Sequence, residues 1–152
     1  MATASKGDEL IEVVVRLPRK AVEETLLHAR RPDDENDEKR LVAAKAILAG
    51  RRRRAASFAG VRFYDPSWDM ILELYVATHE QRVVAVSQLC DLSGGSTTTA
   101  LRHIENIEAL GYIYRGSDPN DRRRLIVGMS PLLSGAMDHW LDLQIGADRL
   151  GL

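Results

Sequence analysis

VSQLCDLSGGSTTTALRHIENIEALGYIYRGSDPNDRRR, residues 86–124, is the part of the chain from which the rest can be understood. It divides at Gly94-Gly95. Glycine adopts backbone angles closed to other residues, and the Ser96 that follows suits a helix N-cap, its hydroxyl accepting from a free backbone N–H. A helix is therefore expected from about Thr97. Ala100, Leu101, Ile104, Ile107 and Leu110 recur at helical spacing and should form its buried stripe, and Gly111 should end it. Ser96 and the opposite face, with Thr97, Thr98, Thr99, Arg102, His103 and Asn106, are candidate contacts to base edges and phosphates. Arginine pairs with guanine, asparagine with adenine, and threonine meets a phosphate or a thymine methyl. Any surface helix has a polar outer face, but the acids here, Glu105 and Glu108, come late and leave the first two turns free of negative charge.

The second half of the stretch reads as a hairpin. Residues 112–115 and 125–129 are rich in β-branched and aromatic side chains, and GSDPNDRRR between them has the Gly, Ser, Asp, Pro and Asn of a turn. Asp118 and Asp121 are expected to cap this turn and orient their neighbours. Arg122, Arg123 and Arg124 then stand at a basic tip, able to enter a minor groove or to hold phosphates. A short helix capped at Ser87 and carrying Leu89 precedes the glycines. The order is helix-turn-helix over 87–110 and wing over 112–129, a winged helix-turn-helix. Such an arrangement points to duplex DNA as a partner.

Residues 66–141 resemble the DNA-binding core of MarR-type transcriptional regulators. The resemblance is carried by Ser87 and Leu89, by Thr99, Arg102 and Ile107, by Gly111-Tyr-Ile-Tyr-Arg115, by the wing motif Asp118-Pro-Asn-Asp-Arg-Arg123, and by Met129-Ser-Pro131. The wing motif is the most specific of these, and about half the chain is covered. The resemblance implies a homodimer on a pseudo-palindromic site, often released by a small-molecule effector. It departs from the family after Pro131, where Leu132, Leu133 and Ser134 replace the usual glycine and basic residue.

At 152 residues the chain has room for one domain with a real core and an additional arm. A net charge of −1 does not announce a nucleic-acid binder. Charge is unevenly placed, however: Arg51 to Arg54 and Arg62 lie in an acid-free stretch, whereas Asp33, Asp34, Glu35, Asp37 and Glu38 cluster upstream. A DNA surface feels the local distribution, since salt screens contributions beyond ~8 Å. The single Cys90 excludes an intramolecular disulfide and, lying between leucines, reads as a buried core thiol. No run approaches the ~20 apolar residues of a membrane span, and the N-terminus lacks a signal-peptide pattern, so no membrane partner and a cytoplasmic location are expected.

Residues 1–36 read as an N-terminal arm: a loose tail over 1–9, a strand over 11–17 stopped by Pro18, and a weak helix over 22–29. Strand followed by helices has the order of a ribbon-helix-helix protein, but Glu12 and Val14 would read bases poorly, and a dimerisation arm or added strand is the better assignment. Residues 37–152 form the winged domain with flanking dimerisation helices. One helix, over 37–54, has Leu41, Ala44, Ile47 and Leu48 on one side. Arg51 to Arg54 at its end face DNA phosphates or the acidic 33–38 segment. Asp65-Pro66 opens a core helix with Trp68, Ile71, Leu72 and Tyr75. Residues 82–86 supply a short strand to the wing sheet. Ser130-Pro131 starts a last helix with Leu133, Ala136, Met137, Trp140 and Leu141 on one stripe, ending near Gly146. The fold class is thus mainly α with a small β-sheet (α+β).

No catalytic constellation is visible. His28, His79, His103 and His139 are widely spaced with no pair at metal-ligand intervals, and Gly94-Gly95-Ser96 lacks the lysine of a phosphate-binding loop. No enzyme activity, no metal and no cofactor are expected. The expectation is a dimeric, sequence-specific DNA-binding transcriptional regulator, the alternative being a winged-helix protein-interaction module without specific DNA binding.

Overall fold

The computed structural model describes residues 19–20 and 34–151. The chain divides into two units, Met1–Arg30 and Arg31–Leu152. Of the first, only the exposed, helical Arg19 and Lys20 are described, so the tail, strand and helix expected before residue 33 lie outside the described residues.

The second unit runs α1 (Asp34–Ser57), α2 (Pro66–His79), β1 (Val84–Ala85), α3 (Val86–Leu92), α4 (Thr97–Ala109), β2 (Ile113–Ser117), β3 (Leu125–Met129) and α5 (Pro131–Leu150). The three strands form an antiparallel sheet in the order β1-β3-β2. A helix-turn-helix followed by a hairpin whose sheet takes its third strand from ahead of α3 is a winged helix, mainly α with a small sheet. The strand expected over 82–86 is only Val84–Ala85, paired with Val127 and Ile126, because Val86 already belongs to α3.

Helix α2 is the hub, packing against α1, α3, α4 and β3. Its start is local chemistry: the Asp65 carboxylate accepts from Trp68 N–H at 3.4 Å and Pro66 fills the first turn. Met70, Leu72, Leu74, Tyr75, Val76 and Ala77 are all buried. This spread exceeds a single stripe, as a helix covered on several sides requires. The core continues through Ala44, Leu48, Leu89, Ile104, Ile107, Ile113, Val127, Met129, Leu133, Met137 and Leu141. Each large side chain taken out of water contributes about 1.5–3 kcal/mol, whereas an exposed ion pair contributes ~0–1, so packing holds the domain and charge orients its surface.

Several boundaries differ from the sequence expectation. Helix α1 runs from Asp34 to Ser57 rather than over 37–54. Arg51 pairs with Asp69, Arg52 Nη2 lies 3.2 Å from Glu73, and the Arg54 guanidinium sits 4.2 Å over the Phe63 ring. The arginines thus turn to acids on α2 and to an aromatic ring, not to the acidic 33–38 segment. The reason is geometric: residues 34–38 are the opposite end of the same helix. Ser87 is not a cap. Helix α3 begins one residue earlier, and the Gln88 side chain reaches back to accept from Ala85 N–H at 2.8 Å. Helix α5 passes through Gly146 and stops at Gly151, whose φ of 68° is open to glycine. A glycine inside a helix costs ~1 kcal/mol relative to alanine and does not by itself end it. On α5, Ala136 is exposed, and Ser134 and Asp138 are buried beside Leu133, Met137 and Leu141.

Candidate nucleic-acid interface

Helix α4 starts where the serine cap demands. Ser96 Oγ accepts from Thr99 N–H at 3.2 Å and donates to Thr99 Oγ1 at 2.9 Å, so Ser96 and Thr99 are committed to the cap. Gly94 holds a φ of 68° in the preceding turn. Gly95 leaves room for Tyr64: a Cβ there would stand 2.8 Å from the tyrosine hydroxyl. Ala100, Ile104 and Ile107 are buried and Leu101 is half-buried, as the periodicity requires. Leu110 is not in the stripe. It is 59% exposed, because at the C-cap its direction has swung well past Ile107 as the chain turns off at Gly111.

Away from the core, Thr98, Arg102 and Asn106 succeed one another at i, i+4 and i+8 as an exposed ridge, flanked by exposed Thr97. The Arg102 side chain has no ion-pair partner among the described residues. His103 is differently placed: its Nδ1 is 3.1 Å from Ser67 Oγ, and its ring meets Tyr64 edge-on at 6.4 Å. It braces α4 against the start of α2. Tyr64 in turn carries the Arg62 guanidinium 5.4 Å above its ring, bringing a cation beside α4 that sequence periodicity could not have placed there.

The wing is stiffened by its acids. Asp118 is buried; its Oδ1 accepts from Asn120 N–H at 2.9 Å, while Oδ2 faces Arg124 Nη1 at 3.6 Å. Asp121 Oδ1 accepts from Arg123 N–H at 3.1 Å. Backbone bonds from Asp118 N to Arg124 O and from Arg124 N to Asp121 O close the tip. The expected capping role of both aspartates is therefore present. Arg122 and Arg123 project exposed side chains with no ion-pair partner among the described residues. Arg124 is tied down, its Nη2 donating to Gln88 Oε1 at 3.1 Å. Gln88 thereby links the start of α3 to the base of the wing, a role that no motif announced.

Two more contacts fix the wing against α4. Arg115 on β2 makes paired bonds to Glu108 on α4, Nε to Oε2 at 3.0 Å and Nη2 to Oε1 at 2.9 Å. The guanidinium holds the Glu108 carboxyl below its ordinary range. Ser130 Oγ donates to Gly111 O at 2.7 Å while accepting from Leu133 N–H, joining the end of α4 to the start of α5. Within the hairpin, Tyr114 faces Gly128 across the strands, and a Cβ at Gly128 would stand 2.1 Å from the ring, so the ring lies flat over a residue without a side chain.

Cys90 is buried; loss of solvation and the neighbouring Asp91 push its thiol up, which makes it an inert core residue. No helix of the described residues is long and apolar enough to cross a membrane.

No family model and no curated protein matches the chain. Solved structures do resemble it. A probable transcriptional regulator from Pseudomonas aeruginosa is 25% identical over 70% of this chain and 80% of its own, with a TM-score of 0.42. MepR, a transcription regulator of the Staphylococcus aureus multidrug efflux pump MepA, is 15% identical over 90% and 85%, with a TM-score of 0.45. MarR is 18% identical over 88% and 80%, with a TM-score of 0.43. At TM-scores below 0.5 these likenesses add nothing to the fold that the chain's own elements establish. The structures similar to this chain are MarR-type and related transcriptional regulators, the kind of protein that the wing motif resembles.

Proposed function

We propose that the protein is a homodimeric, sequence-specific DNA-binding transcriptional regulator. The observation that carries this reading is the exposed Thr98–Arg102–Asn106 ridge on a helix braced from behind, with no acid before Glu105 and a stiff wing whose exposed Arg122 and Arg123 have no ion-pair partner among the described residues. Helix α4 enters the major groove, where Arg102 and Asn106 read base edges and Thr97 and Thr98 meet phosphates or a thymine methyl. The wing tip lies along the neighbouring minor groove, where two arginines meet concentrated negative potential. Ser96, Thr99, His103 and Arg124 act indirectly, holding the ends and back of the reading surface.

The outer face of α5 supports the dimer. Leu132, Leu143 and Leu150 are separated by whole numbers of turns and are all exposed, on the side of α5 opposite its buried face, with exposed His139 between the first two. Two copies joined there would present two recognition helices to half-sites about one helical turn, ~34 Å, apart. The test is fluorescence anisotropy with duplex DNA from upstream of the protein's own gene against a scrambled duplex, at several salt concentrations. The reading expects tight binding to the first, a large preference over the second and a steep salt slope. Weak, salt-insensitive binding to both would overturn it and direct the search to protein partners.

A further inference from the structure

At the end of α2 remote from α4, three side chains from three helices converge. Asp37 of α1, His79 in the last turn of α2 and Asp138 of α5 each place one ligand atom within 4.8 Å of the other two. Asp138 is only 4% exposed, and Asp37 and His79 are half-buried, so this is not a solvated acidic surface.

Groups outside the trio set its geometry. His79 Nδ1 lies 3.0 Å from the Tyr75 carbonyl oxygen, which can only accept. Nδ1 therefore donates to this carbonyl and Nε2 is the ring nitrogen left for an ion, the arrangement in which a second-shell carbonyl orients a metal-binding histidine. The Tyr75 ring, 4.2 Å from the imidazole, limits its rotation. Tyr75 Oη donates to Asp138 Oδ1 at 2.8 Å, and Arg40 Nη1 donates to Asp37 Oδ1 at 3.0 Å, so each carboxylate has one oxygen held by a fixed donor. The charge of Arg40 is shared with Asp142, which takes two further bonds at 2.8 Å.

We propose that Asp37, His79 and Asp138 bind one divalent first-row transition-metal ion, of the zinc or manganese type, with water completing its coordination. One imidazole and two carboxylates are a borderline donor set: the carboxylates disfavour soft monovalent copper, and the imidazole disfavours magnesium and calcium. Bonds of ~2.1 Å put ligand atoms about 3–4 Å apart, so small side-chain rotations close the trio on an ion. The ion joins α1, α2 and α5, the three helices that pack the domain away from the wing. The inference does not depend on DNA binding.

The test uses the untagged full chain, stripped with chelator and desalted, then titrated with Co²⁺ and back-titrated with Zn²⁺. One Co²⁺ per chain with visible d–d absorption, displaced by one equivalent of Zn²⁺, is expected. His79→Gln and Asp37→Asn should each abolish the absorption and weaken Zn²⁺ binding by roughly tenfold or more. His139→Ala, an exposed neighbour on α5, should change neither. Far-UV circular dichroism checks folding, and because Asp37 lies on the half-exposed face of α1, Asp37→Asn decides the matter should His79→Gln unfold. No stoichiometric uptake by the wild-type chain, undiminished binding in both variants, or loss on His139→Ala would each overturn the proposal.

Discussion

Arg102 and His103 are adjacent in sequence and both polar, yet they are placed differently. Arg102 stands on the outer ridge with no ion-pair partner among the described residues, whereas His103 is turned toward Ser67 and Tyr64. A 100° step around the helix separates an exposed ridge side chain from a brace. Arg102→Ala should therefore cost about 1–3 kcal/mol of operator affinity and relax preference at one base pair, measured by anisotropy against single-substitution operators. An equal loss on every sequence would make Arg102 a phosphate contact. Ser96, Asp65 and Ser130 were legible as caps because capping needs only a hydroxyl or carboxylate three residues ahead of a free N–H. Ser87 had the same credentials and failed, because strand pairing of Ala85 with Ile126 sets where the chain leaves the sheet and therefore where α3 starts.

The wing and α4 are held as one piece by the Glu108–Arg115 pair. The guanidinium depresses the Glu108 carboxyl below its ordinary value of 4.5. A depressed acid stabilises the fold fully above its unfolded value, and that contribution disappears as pH falls through the lower folded value. Thermal melts from about pH 3 to 7 should thus show Glu108→Gln flattening the loss of stability below pH ~4.5 while costing only ~1 kcal/mol at neutrality. An unaltered acid limb would show that the pair contributes nothing. The tip makes a separate prediction. Each neutralised phosphate contributes ~0.9 to the logarithmic salt slope, so Arg122→Ala with Arg123→Ala should lower it by up to ~1.8. An unchanged slope would remove the tip from the interface. Arg124 belongs to the scaffold, bound to Gln88 and Asp118, and its replacement should loosen the wing itself.

Across the second unit, α2 connects α4 to the cluster of Asp37, His79 and Asp138. Ser67 in its first turn touches His103 of α4, and His79 in its last turn lies beside Asp37 and Asp138. Helix α5 closes the domain on one side, with Trp140 meeting Trp68 at 4.8 Å, and shows its exposed leucines on the other. Leu143 is 57% exposed, so Leu143→Asp should leave the fold intact and convert the proposed dimer to a monomer. Analytical ultracentrifugation at micromolar concentration reads the outcome, and an unchanged mass would place any dimer interface elsewhere.

What the sequence alone determined was most of what has a short period or a short reach, the Ser87 cap, the helix end at Gly146 and the place of Leu110 being the exceptions. The stripe of α4, the caps at Ser96, Asp65 and Ser130, the Asp-Pro turn of the wing and its paired strands follow from spacings of two to four residues, over which backbone geometry is nearly fixed. The winged helix could be read because those local signals fall in one order. Contacts between residues far apart in the chain were decided by the tertiary structure. The pairing of Arg51 and Arg52 with Asp69 and Glu73, the reach of Gln88 to Arg124, and the convergence of Asp37, His79 and Asp138 all join segments that touch only after helices pack. Packing angles depend on how whole surfaces interlock, and no spacing along the chain encodes them.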